Sequence, residues 1–299
     1  MNQFLDISNF TAEQAREYLE SVRWSDGVIC PHCKSDKSFK LTAKKDSKKP
    51  VRDGVYKCSN CRKQFSVTVG TIFENSHIPL NKWLIAIYLI CSSKKGISSN
   101  QLHRMLDITY KSAWFMSHRI RYAMEQNNQD YLNGTVEVDE TYIGGYHSGK
   151  TGRGSENKIP VVALVQRNGE VRSKKIDNLT AKNLKSYIRD NVDKTATIMT
   201  DEFRSYNGLD KEFKDHKRVN HSKKEYARGD VYTNTVEGYF SLLKRGINGT
   251  FHHISKQHLQ RYLAEFDFRY NFRNLKDAAI PAIVLKGCEG KRLTYQGTC

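Results

Sequence analysis

Two Cys-x-x-Cys pairs limit what the first quarter of this chain can fold into. They are Cys30-Pro-His-Cys33 and Cys58-Ser-Asn-Cys61, with 24 residues between Cys33 and Cys58. Each pair presents two sulfurs from one tight turn, and a second pair brought alongside completes the tetrahedral shell that zinc takes. Pro31 shapes one turn and Asn60 favours the other. A thioredoxin-like redox site needs only one pair, so two pairs point to a small β-rich zinc ribbon with Cys30, Cys33, Cys58 and Cys61 as ligands. Four protein ligands leave no open position, so this zinc is expected to be structural, with His32 a bystander. Cys91, Cys288 and Cys299 are scattered singly. The odd count and the lack of a charged-then-apolar leader argue against a disulfide framework and for a reducing, cytoplasmic location.

Charge narrows the partners. The chain has 299 residues, 49 Lys and Arg against 32 Asp and Glu, a net charge of +17 and a pI near 9.5. Such an excess attracts polyanions, of which nucleic acid is the commonest. The longest apolar run, Trp83 to Cys91, is well short of the roughly 20 residues a bilayer span needs, so no membrane partner is expected. The length suits two or three modules.

Periodicity divides the rest. Phe10 to Tyr18 has the spacing of a short amphipathic helix capped by Thr11, with Glu13 in its first turn. Lys40 to Arg52 is a charged, flexible link, and Gln64 to Val69 alternates as a strand closed by Gly70. Pro79 to Met124 is helical, broken at Gly96 and again by a turn at Asp107 to Tyr110. The last of these helices carries Lys111, His118, Arg119 and Arg121 among its apolar residues, a helix-turn-helix pattern with DNA-contacting side chains on its second helix. From Gly134 strands take over: Thr135 to Tyr142, Ile159 to Gln166, Glu170 to Ile176, Thr195 to Thr200 and Lys217 to His221. Helices are expected at Thr180 to Val192, from about Thr233, and from Ser255 to about Arg273. By analogy this order is that of a ribonuclease H-like α/β fold. The expected organisation is multi-domain: helix and zinc ribbon over 1–75, helix-turn-helix over 76–128, and an α/β core with C-terminal helices over 129–299.

Three acidic positions fall on this core. One lies in the strand Val136-Glu137-Val138-Asp139-Glu140, one is Asp201 at the end of a buried strand, and one is Glu237 on a helix. A carboxylate ending an apolar strand is costly unless it is paired or binds metal. Three across one fold suit a divalent cluster, because Mg²⁺ takes hard oxygen ligands and two such ions serve phosphodiester cleavage. Glu137 and Asp139 face the same side of their strand, so alternation does not choose between them, and Glu140 faces the other. Asn234, Glu237, Ser241 and Lys244 are spaced to share one helical face. The Gly- and base-rich stretch Gly144 to Lys158, with Lys150 and Arg153, is a second candidate DNA contact.

Asp139, Asp201 and Glu237, followed by a lysine two turns on, resemble the catalytic set of the DDE-type insertion-sequence transposases. There are 35 residues between Asp201 and Glu237, as that family often shows. The chain resembles most the subgroup that joins an N-terminal zinc ribbon to a D-D-(E/N)-K core. The likeness is carried by VEVDETYIGG, TDEFRSY and TNTVEGYFSLLKRGINGTFHHISKQHLQRYLAEFDFRYNFR, and it spans roughly Cys30 to Arg273. It picks Asp139 over Glu137 and implies catalytic Asp139 and Asp201 holding Mg²⁺ or Mn²⁺. It leaves the third ligand between Glu237 and Asn234, which also stands ten residues before Lys244; charge favours Glu237. Lys244 and Arg245 would bind DNA phosphate. The expected function is cutting transposon ends and joining them to target double-stranded DNA, by a homo-oligomer on that DNA. A DNA-binding regulator with an inactive core, and a nuclease that cuts without joining, are the alternatives.

Overall fold

The computed structural model describes residues 7–42, 52–126, 130–144, 158–223, 225, 227–276 and 279–294. By its contacts the chain falls into two compact units. The first comprises Met1–Ser93, Ile97–Met124 and Leu275–Cys299, the second Lys94–Gly96 and Glu125–Asn274. This grouping differs from the division expected at 75/76 and 128/129. The ribbon and the helices after it share one unit, and the residues from Leu275 onward join them. The reason is apolar: the C-terminal helix Ile280–Lys286 buries Ile280, Val284 and Leu285, which only a neighbouring core can cover.

In the first unit, α1 (Ala12–Arg23) opens with a capping box, Thr11 accepting from the Gln14 N–H while the Gln14 side chain accepts from Thr11 N–H. The ribbon is a three-stranded antiparallel sheet of β1 (Ser38–Lys40), β2 (Val55–Cys58) and β3 (Gln64–Ser66), in that order. β3 is shorter than the alternation of Gln64 to Val69 predicts, because Val69 N–H turns back to Ser66 O at 3.1 Å. The central residues of the expected Lys40 to Arg52 link, 43–51, lie outside the described residues. Then come α2 (Leu80–Ser92), α3 (Ser99–Leu106, capped by Ser98) and α4 (Tyr110–Met124). Asp107, in the left-handed region at φ 48°, ends α3 and turns the chain into α4.

The second unit is a mixed sheet with helices on both faces. Its strands are β4 (Thr135–Ile143), β5 (Ile159–Gln166), β6 (Val171–Lys175), β7 (Thr197–Thr200) and β8 (Asp215–Arg218). Their order is β6-β5-β4-β7-β8; β4–β5 and β5–β6 are antiparallel, β4–β7 and β7–β8 parallel. β8 begins before the expected Lys217 to His221 and ends at Arg218. β5 shows no alternation because both its faces are covered: Val161 through Val165 are fully buried. On one face α5 (Ala181–Arg189, capped by Thr180) packs Leu184 and Ile188 against Val138, Leu164 and Ile198. A short pair, β9 (Ala227–Arg228) and β10 (Val231–Tyr232), leads into α6 (Asn234–Gly246), which runs into a single π turn, Ile247–Phe251. α6 and α7 (Leu259–Asn271) cover the other face. They approach closely at Gly246, where a Cβ would stand 2.3 Å from the Phe266 ring.

Candidate functional site

The two cysteine knuckles repeat one backbone pattern. Lys34 N–H donates to Cys30 O and Cys30 N–H to Ser35 O; Arg62 N–H donates to Cys58 O and Cys58 N–H to Lys63 O. In each, the residue after the second cysteine has a left-handed backbone, Lys34 at φ 60° and Arg62 at φ 61°. The pattern aims all four sulfurs inward. Cys30 and Cys61 Sγ lie 3.7 Å apart, Cys33 and Cys58 Sγ 3.6 Å apart, and all four fall within 4.8 Å of one another. A zinc tetrahedron with Zn–S of about 2.3 Å has edges of about 3.8 Å, so the four thiols fit one zinc ion. The Cys61 N–H, 3.5 Å from Cys58 Sγ, helps to hold that thiol below its ordinary range and favours the thiolate a metal needs. Tyr56 and Phe65 pack beneath the knuckles beside Trp24.

The acidic residues meet where the central parallel strands end. β7 pairs with β4 only over Thr135–Glu137, whereas β5 follows β4 to Ile143. From Val138 onward β4 therefore overhangs, and Asp201, one residue past β7, stands beside the overhang. This is the crevice at the carboxyl ends of strands where α/β sheets commonly bind ligands. Oxygens of Asp139, Glu140 and Asp201 come within 4.8 Å of one another. An open cleft of about 700 Å³ spreads from them, lined by Asp139, Glu140 and, from α6 and its π turn, Glu237, Ser241, Lys244 and Asn248.

Each carboxylate is held differently. Asp139 Oδ1 accepts from Glu140 N–H at 2.8 Å, and Asp201 Oδ1 from Phe203 N–H at 2.9 Å. Glu140 faces the α5 side of the sheet, as alternation requires, yet its carboxylate reaches the cluster at the strand end. There the buried Tyr206 hydroxyl donates to it at 2.7 Å. Glu237 Oε1 accepts from Thr233 Oγ1 at 3.2 Å. Burial, with the negative charge of Glu140, Asp201 and Glu237, pushes the Asp139 carboxyl up to about 8. A carboxyl whose proton affinity is raised by neighbouring carboxylates suits a divalent cation, which would relieve the repulsion.

Glu137 shares the α6 face with Asp139 but is fully buried and already matched. It accepts from Arg167 Nε at 2.7 Å, Thr235 N at 2.8 Å, Thr235 Oγ1 at 2.8 Å and Val236 N at 3.1 Å. Its charge anchors the start of α6 to the central strand. Asn234, the first residue of α6, is exposed and is not among the cleft-lining residues. Sequence reasoning set Glu140 aside and passed over Tyr206. The signal was an Asp-Glu pair within a strand, with a tyrosine in the TDEFRSY segment.

The basic residues divide. Lys244 and Arg245 are exposed at the cleft, and Lys111 is exposed at the start of α4. Lys150 and Arg153 lie outside the described residues. His118, Arg119 and Arg121, expected to contact DNA, are instead buried, with 0%, 3% and 0% of their surface exposed. The second half of α4 is covered around its circumference, so basic residues interspersed with apolar ones also turn inward. Arg119 donates to Glu74 O at 2.6 Å and lies over the rings of Trp83 and Phe115. Arg121 donates to Ser117 Oγ at 3.0 Å, and His118 packs its ring on Trp114. Among the described residues no helix is long and apolar enough to cross a membrane.

Residues 131–271 match the family model of the ISXO2-like transposase domain, and residues 11–64 that of the transposase zinc-ribbon domain. An uncharacterised protein in transposable element ISH50 of Halobacterium salinarum is 29% identical over 283 residues, covering 89% of this chain and 93% of that protein. An uncharacterised transposase-like protein of Haemophilus influenzae is 33% identical over 101 residues, covering 34% of this chain and 80% of that protein. With the ribbon's four sulfurs and the acidic cleft both in place, the chain belongs to the ISXO2-like transposases that carry an N-terminal transposase zinc ribbon.

Proposed function

We propose that the second unit is a ribonuclease H-like catalytic core that cuts transposon-end DNA and joins it to target DNA. The observation that carries this reading is the meeting of Asp139, Glu140 and Asp201 beside a cleft that also holds Glu237 and Lys244. Mg²⁺ or Mn²⁺ bound there would supply an activated water, neutralise phosphate charge and stabilise the leaving oxygen. Asp139 and Asp201 are the principal ligands. Glu237 is preferred to Asn234 as the third, because it is charged and lines the cleft, and Glu140 adds a carboxylate from the opposite face of β4. Lys244 and Arg245 grip the DNA backbone beside them.

In the first unit, α3 and α4 act as a helix-turn-helix that holds double-stranded transposon ends, with Lys111 as a contact at the start of the second helix. Lys150 and Arg153 are proposed as further contacts. Joining needs both ends of one element in a single assembly, so the working form is a homo-oligomer on DNA.

The test is cleavage and strand transfer on labelled transposon ends, in Mg²⁺ and in Mn²⁺. Asp139→Ala and Asp201→Ala should each abolish both steps while zinc content and end binding persist. Glu237→Ala should do the same, and Asn234→Ala should retain activity. Cutting without joining by the unaltered chain would reduce the reading to a nuclease; full activity in either Asp variant would overturn it.

A further inference from the structure

The zinc-ribbon sheet has two unlike faces. Register places Tyr56 opposite Phe65, and both are buried in the ribbon core. The neighbouring row is Phe39 opposite Lys57, and Lys57 opposite Gln64. Side chains alternate along a strand, so this row stands on the outer face. Phe39 there is 50% exposed. Its surroundings are cationic: Lys57 stands in the row itself, and Lys37 and Arg62, two residues before Phe39 and Gln64, are exposed, whereas Lys40, opposite Tyr56, is on the other face; Asp36 and Asp53 are exposed acids of the same segment. Next to the row, Leu41, Val55 and Ser66 join Arg52 in lining a shallow groove of about 500 Å³.

A surface that only held phosphates would need the cations and not the ring. A surface that covered an apolar protein patch would need the ring and not so many like charges around it. Nucleic acid with an open base offers both complements at once: a flat π face for the phenyl ring and phosphates for the lysines. In an intact duplex the base faces are stacked on each other, and a ring standing on a flat sheet cannot reach them.

We infer that the outer face of the ribbon sheet is a stacking platform for unpaired bases, with Phe39 as the ring on which a base rests and Lys57 and its neighbours holding the flanking phosphates. The partner is DNA with unpaired nucleotides, such as a strand freed at a cut end. The inference rests on the reading that this chain works on DNA, and it assigns the ribbon a binding role separate from the catalytic cleft.

The experiment is equilibrium binding of the full-length, zinc-loaded protein by fluorescence anisotropy. The probes are a blunt duplex, the same duplex with a single-stranded tail, and a single-stranded oligothymidine. Phe39→Leu keeps an apolar side chain but has no π face, and should weaken binding to the tailed and single-stranded probes about tenfold. Its affinity for the blunt duplex should not change, and Phe39→Trp should bind the tailed probe as the natural chain does. Zinc content is measured on each variant to show that the ribbon stays folded. Equal affinity of Phe39→Leu and the natural chain for all three probes would overturn the inference, as would an equal loss on blunt and tailed duplex. So would a change of oligomeric state in Phe39→Leu with DNA binding intact, which would make the face a contact between copies. If the natural chain binds none of the probes, the DNA-processing reading fails with it; if it binds the blunt duplex and ignores the tail, only the stacking platform fails.

Discussion

The Tyr206–Glu140 hydrogen bond links the segment after β7 to the overhanging end of β4. Tyr206 is fully buried and its hydroxyl reaches Glu140 at 2.7 Å. A buried hydrogen bond to a charged group contributes about 1.5–3 kcal/mol, so Tyr206→Phe should lower the unfolding free energy by about that amount in urea titrations. The same change should weaken Mn²⁺ binding, followed by the loss of free-ion paramagnetic resonance, because Glu140 is then no longer held beside Asp139. Glu140→Gln should weaken Mn²⁺ binding too, and unchanged binding in that variant would remove Glu140 from the ligand set. Asp267 shows another consequence of burial at a single residue. It accepts from Ser173 N at 2.8 Å and Ser173 Oγ at 2.7 Å, and from the Tyr239 hydroxyl. Burial nevertheless pushes its carboxyl up to about 7. In the unfolded chain an aspartate releases its proton near pH 4. Between about pH 4 and 7 the folded state thus holds a proton that the unfolded state has lost, and this group's contribution to stability falls as pH rises across that window. Denaturation midpoints at pH 5, 6 and 7.5 should show the decline, and Asp267→Asn should reduce it, leaving the share that the raised Asp139 carboxyl contributes.

At the scale of elements, the start of α6 decides whether Glu237 and Lys244 face the overhang of β4. Glu137 makes that attachment with four accepted hydrogen bonds, and Arg167, which supplies one of them, also donates to the carbonyls of Asp230 and Tyr232 just before the helix. Removing one member of such a buried pair costs about 3–5 kcal/mol, so Glu137→Ala should be severely destabilised by thermal and urea unfolding. Asp139→Asn, which relieves repulsion in the cleft, should be at least as stable as the natural chain. Opposite outcomes at two positions on one strand face would show which carboxylate holds the fold and which serves the cleft; alternation alone left them equivalent. Much else was legible in the sequence. The cysteine spacing anticipated the ribbon, the period-two and apolar runs located β4, β5 and β7, and Thr11 and Thr180 marked helix starts. Side-chain setting was less legible. On α4 the placement of basic residues depends on how many neighbours surround the helix, which no local period records, so Arg119 and Arg121 read as surface residues. Glu140 was assigned to the correct face, but its reach around the end of the sheet depends on where β7 stops pairing, a property of two strands far apart in sequence.

For the whole molecule the governing quantity is the charge of +17. A chain that neutralises DNA phosphates releases condensed counterions, so its affinity falls with salt in proportion to the number of phosphates contacted. The burial pattern separates the cations that can take part from those that cannot. Arg119 and Arg121 are buried in internal contacts, whereas Lys111 is exposed at the start of α4 and Lys244 and Arg245 are exposed at the cleft. Lys111→Ala should therefore weaken binding to transposon-end duplex and reduce the slope of log affinity against log salt by about one, with the melting temperature unchanged. Arg119→Ala and Arg121→Ala should behave in the opposite way. Each strips a buried hydrogen-bonded guanidinium from the first unit, so the melting temperature should fall, while the salt slope of the protein that remains folded should match the natural chain. Anisotropy titrations at several salt concentrations, paired with thermal unfolding of the same preparations, make the comparison. A reduced salt slope in Arg119→Ala at unchanged stability would mean that α4 presents its second half to DNA, and that its packing in the first unit opens when DNA binds.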